Sequence, residues 1–236
     1  MPNSAVIHRV TALDLKAESW AWPFASERRA EISAHFAEKQ REKPIWNGRI
    51  LLARGVEVTG ETLTSCYFET DFADMLAWRD WGFPDRNVFN AFGMGALRAA
   101  DGAFVLGEMG AHTANAGRVY FPSGTPDPND VLDGTVDLVG SVDREMEEET
   151  GLRPADYSPS PHWDCVVVGP SVALFRTLAV GMSGEALKAR IEANLARQAH
   201  PELSAIRLVR SVDDLSASMP RFVTVFLERE LSGGKT

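Results

Sequence analysis

The chain has 236 residues, 44% hydrophobic and 24% charged, the balance of an ordinary globular protein built as one large domain or a domain with a sizeable extension. Lys and Arg number 24 against 33 Asp and Glu, and the net charge of −9 repels polyanions, which argues against nucleic acid or an anionic membrane as partner. It leaves room for a small phosphorylated substrate when a divalent cation bridges the like charges.

The two cysteines, Cys66 and Cys165, lie far apart without metal-ligand spacing and read as reduced thiols in a cytoplasmic protein. The N-terminus MPNSAVIHRV has no positive region followed by an apolar run, so no signal peptide is expected. No window approaches the ~18 apolar residues of a membrane span.

In chain order, residues 26–43 read as an amphipathic helix with Ser26 as N-cap, Ile32 and Phe36 on its apolar side, joined by Ala30 and Ala37, and Pro44 beyond its end. Residues 49–58 and 62–69 read as strands paired around Thr59-Gly60-Glu61, and 71–81 as a short helix stopped by Gly82 and Pro84. Two apolar runs flank Ala100-Asp101-Gly102, a hairpin signal. GRVYF is a short strand, and the segment from Pro122 to Thr135, rich in Pro, Gly and Asp, reads as loop. A helix is expected over 138–150, ending at Gly151, then strands over 163–169 and 172–180. A helix over 185–198, a strand over 206–211 and a final helix over 220–231 follow. This order predicts an α+β or mixed α/β fold, with an N-terminal α/β module over 1–88 and a second domain over 89–236.

The segment REMEEETGL, 144–152, crowds four glutamates into five positions. On a helix Glu145, Glu148 and Glu149 stand at i, i+3 and i+4 and share a face, where like charges repel. A solvated acidic face is the plain reading of such a run. It leaves unexplained the preceding Arg144, the Gly151 that follows and the FPSG loop upstream. A hard-cation site gives the cluster a role: carboxylates suit Mg²⁺ or Mn²⁺, Arg144 can pair with one carboxylate, and Gly151 can end the helix in the left-handed conformation.

This segment resembles the box of the Nudix hydrolase family, G-x5-E-x7-R-E-U-x-E-E-x-G-U with U apolar. Arg144 to Leu152 match its second half at every position, and Phe121-Pro122-Ser123-Gly124 look like the turn that opens it. The resemblance implies an α/β/α sandwich carrying a loop–helix–loop between two strands. It implies metal ligation by Glu145, Glu148 and Glu149, with Arg144 as the orienting partner of a carboxylate. The implied activity is hydrolysis of a nucleoside diphosphate linked to another group: water attacks phosphorus while Mg²⁺ neutralises the pyrophosphate. Such chemistry needs positioning and cationic stabilisation more than covalent catalysis.

The first half of the box departs from the pattern. Gly124 and Arg144 are 20 positions apart, against the family's 14, so the loop carries about six extra residues. Val136 stands where the family has its first Glu; Asp137 beside it is read as a helix cap rather than a ligand. The long first loop and the N-terminal extension are similar to the branch acting on nucleoside diphosphate sugars, UDP-glucose among them. A nucleotide sugar is therefore the expected substrate, giving a nucleoside monophosphate and a sugar phosphate. ADP-ribose, a dinucleotide or a coenzyme A derivative remain alternatives, as does a non-catalytic nucleotide-sensing domain.

Arg118 and Tyr120 alternate onto one face of the strand before the box, where Arg can hold phosphate and Tyr can stack, or where both form an ordinary surface pair. With Gly124 they complete the expected substrate pocket. Glu202 and Glu108 are candidates for a catalytic base outside the box, each read first as an exposed carboxylate. His112 and Asn115 are read as solvated loop, and Trp78 and Trp81, at i and i+3, as core or module interface. His8, His35, His162 and His200 suggest no dyad. The N-terminal module is expected to build substrate walls or a homodimer surface.

Overall fold

The computed structural model describes residues 5–233; the reading of the N-terminus as free of a signal peptide falls in part on residues 1–4, outside them. The architecture is mixed α/β. Two short strands open it, β1 (Val6–Val10) and β2 (Ala12–Ala17), followed by helices α1 (Pro23–Glu27) and α2 (Arg29–Glu42). The single helix expected from Ser26 is thus two. Pro23 starts a helical turn early, Ser26 lies inside it, and Arg28, at φ −110°, breaks the chain direction before α2 and takes the N-cap place of Ser26 without a side-chain bond. Ile32 and Phe36 are buried as expected, whereas Ala30 and Ala37 are exposed.

Strands β3 (Arg49–Thr59) and β4 (Thr62–Asp71) pair around Gly60, and α3 (Phe72–Asp80) starts at Asp71, which forms a capping box with Asp74. Next come β5 (Val88–Ala99), β6 (Phe104–Met109) and the two-residue β7 (Val119–Tyr120). The segment expected to be loop holds a 3₁₀ turn at Pro128–Asp130 and a small hairpin, β8 (Val131–Leu132) with β9 (Thr135–Val136). Its two turn residues, Asp133 and Gly134, both have positive φ, as the two-residue hairpin turn requires. The chain continues with α4 (Leu138–Thr150), β10 (Ser158–Pro159), β11 (Trp163–Val168) and β12 (Ser171–Val180). Helix α5 (Gly184–Leu195), strand β13 (Leu203–Val209) and helix α6 (Arg221–Leu231) complete it. Among the described residues no helix is long and apolar enough to cross a membrane.

The strands run in the order β1-β11-β12-β5-β3-β4-β2-β9-β8, with β6 joining β5, β7 and β13. Strands β5 and β12 are parallel over ten register pairs, and β2 is parallel to β4; the other pairings are antiparallel. Val88, the last residue of the expected N-terminal module, is the first residue of β5 and pairs with Arg54. The first strand of that module, β1, pairs with β11 far along the chain.

Alternation along β5 makes the layers. Gly93 and Gly95 face α4: a Cβ on Gly93 would lie 2.7 Å from Val142 Cγ2, and one on Gly95 would lie 2.6 Å from Met146 Sδ. Phe92 on the other face meets Phe222 of α6 at 5.5 Å between ring centroids. On that side Phe226 stacks on Phe175 at 4.3 Å and meets Phe104 and Phe121 edge-on. A second cluster, around Trp22, Phe68 and Trp78, lies under α2 and α3. Trp78 is fully buried there, with its indole N–H donating to the Asp85 carbonyl at 2.9 Å, so it belongs to the core.

Candidate functional site

Helix α4 is set by both its ends. The Asp137 carboxylate accepts from the Gly140 N–H at 3.0 Å, the N-cap bond expected of it, and Gly151 closes the helix at φ +74°. Its apolar face, Leu138, Val142 and Met146, is buried against β5. That packing leaves the side holding Glu145 and Glu149 beside the turn after β7. The turn is itself docked on β5, whose Gly95 N–H donates to the Pro122 carbonyl at 3.1 Å.

Gly124 ends the turn against the helix: a Cβ there would fall 2.2 Å from Glu145 Oε1. A side chain at this position would therefore displace the Glu145 carboxylate, so the glycine is explained by close approach rather than by backbone angle. Glu149 is 4% exposed, and its Oε2 is buried with no hydrogen-bond partner. Burial, with the charges of Glu145, Glu202 and Glu148 added, holds its carboxyl well above the usual carboxylate range. Burial and the neighbouring Glu148 push Glu145 up to about 7, against a counterpull from Arg144. Glu148 is exposed, and its backbone carbonyl accepts from Gln198 at 2.9 Å.

Arg144 makes its main pair with a residue that the sequence reading did not single out, Asp130. Both terminal nitrogens donate to that carboxylate, Nη2 to Oδ2 at 3.2 Å, while Nη2 stands 3.7 Å from Glu145 Oε1. The hydrogen bond to Asp130 raises the Arg144 pKa. Asp130 is 4% exposed and also accepts from Ser141 Oγ at 3.2 Å and the Asp127 N–H at 3.0 Å. The extra loop residues therefore supply the anchor of the arginine. The signal for it was the Asp-Pro-Asn-Asp run, an N-cap followed by Pro and an acid, which predicts a structured turn.

A cavity of about 470 Å³ opens beside Gly124, with Arg118, Tyr120, Arg79 and Arg221 in its wall. It brings together the three residues expected to form the substrate pocket. Tyr120 is buried, and its hydroxyl accepts from Asn115 Nδ2 at 3.1 Å. Burial raises its pKa, partly offset by that bond, with Glu149, Glu202 and Glu145 pushing further up. Arg118 is exposed just ahead of β7. Residues 1–88 reach this cavity through Phe72, Met75 and Arg79 of α3.

Val136 is buried in β9 at the place of the missing glutamate. Glu108 is tied to Arg207 at 2.6 Å, as an ordinary surface carboxylate. Glu202 is exposed, yet it is among the charges acting on Glu145, Glu149 and Tyr120. Both cysteines are free thiols, and burial pushes Cys165 up to about 12. As the side chains stand, no group of three or more His, Cys, Asp or Glu among the described residues is gathered tightly enough to enclose a metal ion. The donor chemistry nevertheless fits a hard cation: the orphaned Glu149 oxygen and the Glu145 carboxylate beside it are oxygen donors whose charged forms are poorly solvated, and a divalent cation stabilises those forms.

No protein-family model matches the chain, and no curated protein matches it. Among solved structures it is similar to the Nudix hydrolase RenU from M. smegmatis, at 14% identity and a TM-score of 0.40, over 62% of this chain and 88% of that one. It is also similar to the MutT protein from Methanosarcina mazei Go1, at 18% identity and a TM-score of 0.36, over 63% and 96%.

Proposed function

We propose that this chain is a Mg²⁺- or Mn²⁺-dependent hydrolase that cleaves the pyrophosphate of a nucleoside diphosphate derivative. Our first choice of substrate is a nucleotide sugar, yielding a nucleoside monophosphate and a sugar phosphate. The observation that carries this reading is the buried Glu149, with its unpartnered oxygen, on the same helix face as the half-buried Glu145, which lies against Gly124 at the wall of an arginine-lined cavity. Burying such acids without a proton or counter-charge is costly, and a divalent cation with the phosphates it brings removes the cost.

Glu145, Glu148 and Glu149 would hold the cation, whose chemistry is to neutralise the diphosphate and favour departure of a phosphate. One of these carboxylates takes the proton of the attacking water. Arg144, fixed by Asp130, orients Glu145. Arg118 offers its guanidinium to a phosphate, Tyr120 offers its ring edge and hydroxyl, and Gly124 lets the diphosphate approach the backbone. In this reading residues 89–236 form the catalytic domain and residues 1–88 supply one wall, as Phe72, Met75 and Arg79 suggest.

Buried Val136 favours a second reading, a nucleotide-sensing domain without turnover, because the acid expected there is lost. The test is incubation with a panel of nucleoside diphosphate sugars, ADP-ribose, dinucleotides and coenzyme A, with and without Mg²⁺, with products identified by mass. Mg²⁺-dependent release of a nucleoside monophosphate and a sugar phosphate supports the first reading. Turnover of ADP-ribose or coenzyme A alone keeps the chemistry and rejects the substrate. Binding without turnover selects the sensor.

A further inference from the structure

Among the described residues Trp46 is the most exposed of the large hydrophobic side chains, at 76%. A single exposed apolar residue needs no explanation in general. Trp46 differs because its loop is tied down on several sides. Lys43 Nζ donates to the Ala111 carbonyl at 2.7 Å and to the Thr113 carbonyl. Gln40 donates to the Ile45 carbonyl at 3.1 Å, Asn47 Oδ1 accepts from the Ala73 N–H at 2.8 Å, and the Gly48 carbonyl accepts from the Phe72 N–H at 2.8 Å. The indole lies over Gly48, where a Cβ would come 1.5 Å from its Cη2 atom. One region of the ring is thus seated on backbone and most of the rest is open.

That ring lines a second cavity, of about 360 Å³, together with His112 and Glu202. This cavity shares Phe72, Ala114, Asn115, Tyr120 and Ser123 with the arginine-lined one, so the two are adjoining parts of one cleft. A fixed, open aromatic face beside polar loop groups suits a flat heteroaromatic ring that stacks and hydrogen-bonds at its edge.

We infer that Trp46 is the stacking platform for the nucleobase, and that base recognition therefore comes from the N-terminal part of the chain. The inference deepens the proposed function and rests on it for the identity of the ligand as a nucleotide. Preorganisation by the tethered loop keeps the ordering cost of binding low. His112, Thr113 and Asn115 at the rim of the same cavity are the groups able to read the base edge.

The test is calorimetric titration of the full chain with AMP, UMP, GMP and CMP, and with ribose 5-phosphate as the base-free probe. Trp46→Ala is expected to weaken the preferred nucleotide about 10- to 100-fold, with Trp46→Phe near wild type and ribose 5-phosphate unchanged. Gly48→Ala retains the indole but pushes it from its seat, and is expected to weaken the same nucleotide. The melting temperature of Trp46→Ala should stay at the wild-type value, because the side chain is exposed. Unchanged nucleotide affinity in Trp46→Ala, equal binding of nucleotide and ribose 5-phosphate, or no nucleotide binding would each overturn the inference. Nucleotide binding that depends on Trp46 without Mg²⁺-dependent turnover of any panel member would leave the stacking platform standing and remove the hydrolase reading. Turnover with an unchanged KM in Trp46→Ala would do the reverse.

Discussion

Glu149 carries two predictions. Replacing it with Gln keeps the shape and removes the charge, so turnover of the panel substrate should fall about 10²- to 10⁴-fold with the fold retained. Rates near wild type in that variant would remove the carboxylate site from the mechanism. The second concerns stability. A carboxyl whose pKa rises on folding binds more protons folded than unfolded between its two pKa values, so stability falls as pH rises through that window. For Glu145 the window runs from 4.5 to about 7, and for Glu149 it begins at the same 4.5 and extends upward. Asp80, Asp156 and Asp214 are shifted down from 3.8, so their loss of stability lies at lower pH. Without metal, the melting temperature should therefore decline between pH 5 and pH 8. Mg²⁺ should raise it more at pH 8 than at pH 5, and Glu149→Gln should flatten the slope. A flat profile with no Mg²⁺ response would contradict the buried-acid argument.

At the scale of the element, the distance between α4 and β5 is set by two glycines. Gly93→Ala adds a methyl 2.7 Å from Val142 Cγ2, and Val142 is stiff at χ1 and cannot move aside. Overpacking of about 1–3 kcal/mol outweighs the gain of ~0.4–1 kcal/mol that replacing glycine brings through the unfolded state. Gly95→Ala meets Met146, which is flexible and can yield, so its cost should be smaller. Urea denaturation of the two variants checks the order. Gly93→Ala should also lower turnover, since α4 carries Glu145 and Glu149; if Gly95→Ala were the more damaging variant, the packing account would be wrong.

At the scale of the whole molecule, the two ends of the chain are woven together. β1 lies beside β11, β2 carries β9, and the Leu51 N–H donates to the Pro126 carbonyl at 2.7 Å. Leu15, Leu51, Leu63 and Tyr67 belong to the same buried cluster as Phe121, Phe175 and Met146. Residues 1–88 and 89–236 should accordingly unfold in one calorimetric transition. Two resolved transitions would show that the shared sheet does not couple them. The same weaving places Arg79 and Phe72 at the cleft, and it is why the extra residues after Gly124 fold rather than wander. Pro126 is bonded to β3 and Thr135 farther along the loop pairs with β2, while Asp130 between them holds Arg144.

Local patterns that carry their own physics were legible in the sequence. The 138–150 helix with its Asp137 cap and Gly151 stop, the hairpins at Gly60 and Gly102 and the mixed α/β order all follow from periodicity and turn chemistry, which neighbours do not overrule. The crowding of Glu145, Glu148 and Glu149 on one helix face followed from helical geometry. Elsewhere the rule was present but the composition hid it. Asp133-Gly134 is a hairpin turn inside a stretch of Pro and Gly, and Pro23 starts a helix three residues ahead of Ser26. Only the tertiary structure decided that Asp130 is the partner of Arg144, that Glu149 is buried with an unpartnered oxygen while Glu148 is exposed, and that β1 and β2 are strands. Each depends on groups distant in sequence: burial and ion pairing are properties of what packs around a side chain, and a strand of five or six residues exists only where another strand offers its hydrogen bonds.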